Sequence, residues 1–262
     1  MKNSEYRSAD GVSRSQLIVL LNQTPMHFKY KEDHKEEEES KALIFGRAAH
    51  KFILEEETFF DEYAIIPECD RRTKEGKELY ANFLLESDEK EVISKSDFDE
   101  ISDMKKSIEA YPLAKQLLTG ECEQSFFWTD SDTGEKCKVR PDCITSFDGK
   151  KYIVDYKTTS SCQDGHFERS VRDYGYKMQA GMYREGYFQN TFEDVGFAFV
   201  AQEKKPPYAT RVYFCSEDFI AAGYEQFKKA ISLYHWCKEN DNWYGYEGAD
   251  NIATTLFEEG EE

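Results

Sequence analysis

The stretch Glu123–Lys157, EQSFFWTDSDTGEKCKVRPDCITSFDGKKYIVDYK, decides the fold. Its runs Gln124–Thr129, Lys136–Phe147 and Lys151–Lys157 are rich in Phe, Trp, Val, Ile and Tyr. They are separated by Ser131-Asp132-Thr133-Gly134 and by Asp148-Gly149, so the stretch reads as three β-strands and two turns. Asp-Gly is a strong signal for a two-residue hairpin. Pairing Phe147 with Lys150 makes opposing residue numbers sum to 297, which sets Asp142 opposite Asp155 and Arg140 opposite Lys157. Two carboxylates facing each other repel, so removing either should relieve strain in the bare protein. A bound divalent cation would turn that repulsion into a ligand set.

Asp155 and Lys157 are two apart on a strand and emerge on one face, toward Asp142. A four-residue loop at Ser131–Gly134 would make the first hairpin sum to 265 and bring Glu123 opposite Asp142. An odd-length loop would turn Glu123 to the other face. Pro141 occupies a position whose N–H the ladder should use, which predicts a bulge or an early end to pairing.

Arg140-Pro141-Asp142 followed by Asp155-Tyr156-Lys157 resembles the PD-(D/E)xK nuclease motif. Gly46-xxx-His50 upstream and Gln179-xxx-Tyr183 downstream resemble its helical additions. The segments Lys41–His50, Arg71-Arg72-Thr73 and Val154–Thr159 look like the RecE (exonuclease VIII) type of phage recombination exonuclease. The resemblance covers roughly 13–187. It implies an α/β, restriction-endonuclease-like or lambda-exonuclease-like fold, a central mixed β-sheet flanked by helices. It also implies a metal-dependent exodeoxyribonuclease of linear double-stranded DNA, acting 5′ to 3′ in homologous recombination by single-strand annealing. In that reading Asp142, Asp155, His50 and the Tyr156 carbonyl hold one or two Mg²⁺ ions, with Mn²⁺ as a substitute. Glu123 serves the second metal or a water, Lys157 orients or deprotonates the attacking water, and Gln179, beside Tyr183, fixes that water or a carboxylate. The implied partners are DNA ends, a RecT-type single-strand annealing protein and further copies of the chain, in a ring of four subunits or three. The alternatives are an endonuclease or repair-helicase-type nuclease, a catalytically silent DNA-binding scaffold, and a metal-stabilised binding protein without chemistry.

At 262 residues without a repeat or a long Pro/Gly/Ser-rich linker, the chain reads as a single domain, 1–262. No apolar run reaches the ~18–20 residues of a membrane span, and the first residues open no signal peptide. The seven cysteines are odd in number, scattered and without CxxC, which suits reduced cytoplasmic thiols better than disulfides, zinc or an iron–sulfur cluster, while the RecE-type resemblance implies a phage- or prophage-encoded protein in a bacterial host. Net charge is −18, from 34 basic and 52 acidic residues, and opposes indiscriminate DNA binding. Much of the acidic excess sits in runs such as Glu36–Glu39, Glu86–Glu91 and Glu258–Glu262, which read as solvated surface.

Along the chain, Ser13 or Ser15 caps a helix carrying Leu17, Leu20 and Leu21. This is either a packing helix or, with Ser13, Arg14 and Ser15 at its N-terminus, a holder of a terminal phosphate. Ala42–Leu54 is apolar-periodic, with Gly46 and Ala49 small enough for close approach to the sheet. Arg71, Arg72, Lys74 and Lys77 form the densest basic cluster, at the start of a helix over Lys74–Glu86. They are either a solvated helix start or phosphate contacts, facing the channel if the subunits form a ring. The spacing further predicts helices at Asp97–Tyr111, His166–Tyr187 and Ser216–Lys238, and strands at Asp194–Gln202 and Ala209–Cys215.

Overall fold

The computed structural model describes residues 3–34 and 40–249. The acidic runs Glu36–Glu39 and Glu258–Glu262 lie outside the described residues. The fold is mixed α/β, with mixed sheets flanked by helices. Its five-stranded sheet runs Thr210–Phe214, Gly196–Glu203, Lys150–Thr159, Cys143–Phe147, Glu121–Cys122 in spatial order. Lys150–Thr159 and Gly196–Glu203 pair in parallel, and the other neighbours are antiparallel. A three-stranded sheet joins Val12–Ser13, Lys136–Val139 and Phe126–Thr129, and Tyr63–Ile65 pairs with Glu91–Ile93. Among the described residues no helix is long and apolar enough to cross a membrane.

Local chemistry fixes the central hairpin. Asp148 and Gly149 have φ of 49° and 74°, the two positive values a tight hairpin turn of this hand requires. The pairs run from Phe147↔Lys150 to Cys143↔Val154, all summing to 297. In the first hairpin Thr129↔Lys136 to Phe126↔Val139 sum to 265 across a four-residue loop. Asp130 braces that loop, its carboxylate accepting from the Thr133 N–H at 3.1 Å.

The run Lys136–Phe147 is not one strand. It breaks at Arg140–Asp142, where Pro141 has no N–H to donate, and the two halves belong to different sheets. The facing chain breaks at the same level, where Glu123 turns through φ 55°. Beyond the break Cys122↔Cys143 and Glu121↔Ile144 again sum to 265, and Glu123 N–H donates to the Asp142 carbonyl at 3.1 Å. The register survives a switch of sheets. Because pairing stops at Cys143, Arg140 never comes opposite Lys157.

The predicted helix over His166–Tyr187 is two helices, Asp164–Asp173 and Tyr176–Thr191. They part at Gly175, whose φ of 64° favours glycine. A Cβ there would fall 2.3 Å from Ile18 Cδ1, so the break also admits the helix Arg14–Asn22. That helix is closed by a capping box, Ser13 N–H donating to Gln16 Oε1 at 2.8 Å. The helix Lys41–Leu54 buries Ala48, Ala49, Phe52 and Ile53. A Cβ on Gly46 would meet nothing within 4 Å, so Gly46 opens onto a cavity and only the alanines give the close packing expected of both. The strand Gly196–Glu203, covered on both faces, is buried from Gly196 to Gln202, with Phe197 and Phe199 among the largest enclosed side chains. Each such side chain stabilises the fold by roughly 1.5–3 kcal/mol. The long helix Glu217–Asn240 packs on Tyr176–Thr191 and closes that side.

Candidate active site

Asp142 stands at the break, one residue before the strand Cys143–Phe147. Its Oδ2 accepts the Tyr156 N–H at 2.7 Å, a donor that the shortened ladder would otherwise leave open. The same oxygen lies 3.0 Å from His50 Nε2, and His50 Nδ1 lies 3.4 Å from Glu123 Oε1. His50 reaches this point from the helix Lys41–Leu54, with a third of its side chain exposed. Asp155, with a side chain only 1 % exposed, accepts from Gln179 Nε2 through Oδ1. Its Oδ2 sits 2.5 Å from Lys157 Nζ yet takes no well-directed hydrogen bond. The Lys157 ammonium also lies 4.8 Å from the centre of the Tyr176 ring.

These groups line a cavity of about 660 Å³ together with Ser13, Arg14, Ser15, Tyr156 and Tyr183. Ser13 and Ser15 share a hydroxyl contact of 3.1 Å, and Arg14 is held by the Tyr174 carbonyl at the helix break. The Tyr156 phenol is committed to Gln202 Oε1 at 2.6 Å. A second cavity of about 1100 Å³ adjoins on the side of Gly46, and His50, Glu123 and Arg140 line both. Arg71, Arg72, Lys74 and Lys77 line neither. Arg71 stacks over Tyr80 of the following helix at 3.7 Å, and Arg72 pairs with Asp70 at 3.0 Å.

The two carboxylates that face each other in the register are not equivalent. Burial alone would raise Asp142, but the His50 charge and hydrogen bond hold it below the ordinary carboxylate value. Burial, then the Asp142 charge, push Asp155 up to about 6 against the pull of Lys157. Burial and Asp142 likewise push Glu123 up to about 7, against His50 and Arg140. Burial disfavours the His50 imidazolium, yet Asp142 and then Glu123 outweigh it and raise His50 to about 9. Burial opposes the Lys157 charge too, and Asp155 and Asp142 overcome it, so its pKa rises. Relief of crowding is therefore confined to Asp155. Removing Asp142 strands a cationic His50 and a backbone donor.

The donor set fits a hard divalent cation. One imidazole nitrogen and one carboxylate oxygen each from Glu123 and Asp142 lie within 4.8 Å of one another. Asp155 Oδ2 is buried with acceptor capacity to spare. Arg140 is a further member of this group beyond the motif residues. Its Nε donates to Glu123 Oε2. The signal was present: in the 265 register Arg140 faces Ser125, which makes Glu123 its diagonal neighbour.

A carboxylate pair and a lysine at the strand break, with a helical His and a helical Gln beside them, bring together the residues of the PD-(D/E)xK pattern. The model of the PDDEXK-like domain of unknown function, DUF3799, matches residues 13–255, and the chain belongs to that family. Among solved structures, the chain is similar to a Eubacterium rectale protein named "Putative exonuclease". The TM-score is 0.65 at 16 % identity over 100 % of this chain and 96 % of that one. At that identity the likeness shows the fold. A second structure, SSO0001, aligns over 88 % of this chain and 81 % of its own at 14 % identity with a TM-score of 0.37. No curated protein matches the chain.

Proposed function

We propose that the chain is a Mg²⁺-dependent exodeoxyribonuclease that digests linear duplex DNA from its ends, 5′ to 3′. The observation that carries this reading is the convergence of Asp142, Asp155, Lys157, His50 and Glu123 on a cavity also lined by Ser13, Arg14 and Ser15. A divalent ion held by His50, Glu123 and Asp142, with Asp155 and the Tyr156 carbonyl as further donors, would supply a more acidic water and charge neutralisation at the phosphate.

The chain's own residues do the rest. Gln179 fixes Asp155 through Oδ1 and leaves Oδ2 directed toward Lys157. The Lys157 ammonium, half-buried beside two carboxylates, orients the attacking water and offsets negative charge that builds on the phosphate oxygens. Tyr183, whose phenol burial keeps protonated, closes the cavity floor. Ser13, Arg14 and Ser15 lie at a helix N-terminus, where hydroxyls, a cation and the helix dipole favour a terminal phosphate. None of these groups reads a base edge, which suits digestion without regard to sequence.

The further setting of this activity is recombination by single-strand annealing in the cytoplasm, with a RecT-type protein taking the exposed strand. A homo-oligomeric ring, of four subunits rather than three, would keep so acidic a chain on its DNA. The helix Lys74–Glu86 supports association, because it leaves Leu79, Leu84 and Leu85 exposed, the last to 79 %. Arg71, Arg72, Lys74 and Lys77 at its start would then make phosphate contacts away from the reacting bond. Light scattering tests the ring, and a monomer mass at micromolar concentration with processive digestion would reject it.

The test of the activity itself compares end-labelled linear duplex with a closed circle, each with and without Mg²⁺. Loss of the linear form alone, and only with metal, is expected. Rapid cutting of the circle would favour an endonuclease instead.

A further inference from the structure

Arg140 carries an unmet hydrogen-bonding demand at the centre of the site. Its side chain is 10 % exposed and is fixed from two directions, by Nε donating to Glu123 Oε2 and by the Tyr6 ring 5.7 Å from Cζ. Its Nη1 is buried and has no hydrogen-bond partner among the described residues. A buried charged donor left unpaired is costly, and stable proteins satisfy nearly all of them. The residue lines both cavities, at the wall they share with His50 and Glu123. An anionic oxygen acceptor that accompanies the substrate of the site would satisfy this donor best.

We infer that Arg140 is a phosphate-contacting residue: Nε holds Glu123 while Nη1 takes a non-bridging oxygen of the DNA backbone beside the metal-binding group. The guanidinium fork suits this double task. It is planar, permanently charged and presents donors on two edges, so one residue can fix a carboxylate and a phosphate at once. A lysine has one compact ammonium and cannot do both. The cation–π contact with Tyr6 restrains the guanidinium and reduces the freedom lost when the phosphate docks. Arg140 thereby sets the distance between Glu123 and the phosphate backbone. The inference rests on the nuclease reading and adds to it a contact assigned to one atom.

The experiment is a chemical double-mutant cycle. Binding of wild type, R140Q and R140K to linear duplexes is measured in Ca²⁺, which supports binding in place of turnover. Each duplex carries one neutral methylphosphonate at a successive linkage from the 5′ end. Removing a charged hydrogen bond to phosphate should weaken wild-type binding by about 10-fold at one linkage. R140Q should already bind the unmodified duplex that much more weakly and show no further loss at that linkage. R140K covers the case in which R140Q does not fold, and the same insensitivity is expected of it. In Mg²⁺, R140Q should lower kcat/KM by about 100-fold.

Losses that add at every linkage would overturn the contact and leave Arg140 as a holder of Glu123 alone. Wild type that neither binds nor cuts unmodified duplex would overturn the nuclease reading, and this inference with it. Wild type that cuts normally while the cycle is additive would overturn this inference only.

Discussion

The break in the central strands and the basic helix Lys74–Glu86 are built in opposite ways. At the break, Asp142, Asp155, Lys157, His50 and Gln179 are each held by at least one other member, and Asp155 is almost wholly enclosed. At the helix, Arg71 and Arg72 spend their charge on near neighbours in sequence, Tyr80 and Asp70, with Leu79, Leu84 and Leu85 left to solvent. The first arrangement stores electrostatic conflict between partly enclosed groups, where a metal and a phosphate would resolve it. The second is a local, solvated arrangement, suited to contacts that hold DNA and leave its bonds alone. On the proposed function, chemistry would belong to the first region and attachment to the second.

The sharpest break in this comparison comes from the buried carboxylates. Asp155→Asn should lower cleavage of linear duplex by roughly 10³-fold in a steady-state assay, and Lys157→Ala by a similar factor with Mn²⁺ binding retained. Their stabilities should diverge from that of Asp142→Asn. Because the Asp155 pKa is raised to about 6, its charged form is disfavoured by folding. Metal-free Asp155→Asn should therefore be more stable than wild type above pH 6, by roughly 1–3 kcal/mol, with the gap closing as pH falls from 6 to 4. Asp142 is held below the ordinary value, so its contribution is present above about pH 4 and lost in acid. Asp142→Asn should be less stable by roughly 3 kcal/mol at pH 7, since it leaves a charged partner unpaired. Denaturant melts of the three proteins at pH 4 and pH 8 check both signs.

His50 gives the next effect in size. Its folded pKa, about 9, exceeds the ordinary 6.5. The stabilisation it brings is complete below pH 6.5 and disappears as pH rises through 9. His50→Gln should cost the metal-free protein roughly 1–2 kcal/mol at pH 6, after allowance for its partial exposure, and little at pH 9.5. Mn²⁺ affinity should fall more than DNA affinity, which a calorimetric titration separates. The smallest effect belongs to the helix. Arg71→Ala and Arg72→Ala should leave cleavage at low salt within about 3-fold, and each should reduce the salt dependence of DNA binding by about one unit of slope. A large loss of turnover in low salt would move the basic cluster into the chemistry and erase the contrast.

What the amino-acid sequence revealed follows from the range of the forces involved. Asp148-Gly149 is a local signal that sets the 297 register as far as Cys143, and the 265 register follows once the loop at Ser131–Gly134 is taken as four residues. Pro141 signalled an interruption for an equally local reason, its missing N–H. That the chain would change sheets there depends on what packs beyond it, and no neighbour in sequence records that. The break at Gly175 escaped notice because its cause, the approach of Ile18, is more than 150 positions away. Gly46 read as a packing glycine because spacing fixes a face but not what lies opposite it. Arg140 was visible beside Pro141, yet its bond to Glu123 exists only because the ladder ends early and frees it from Lys157. Carboxylate placement was legible; the inequality between Asp142 and Asp155 was not, since it arises from His50 on a distant helix.

The central claim is that the carboxylates and lysine at the strand break form a metal-dependent nuclease site. It is tested most directly by incubating 5′-end-labelled linear duplex DNA with wild type and with Asp155→Asn, in Mg²⁺ and in chelator. Label should be released as short products by wild type in Mg²⁺ alone, with Asp155→Asn and the chelated reaction both flat. Release by Asp155→Asn at the wild-type rate, or by wild type in chelator, would contradict the account.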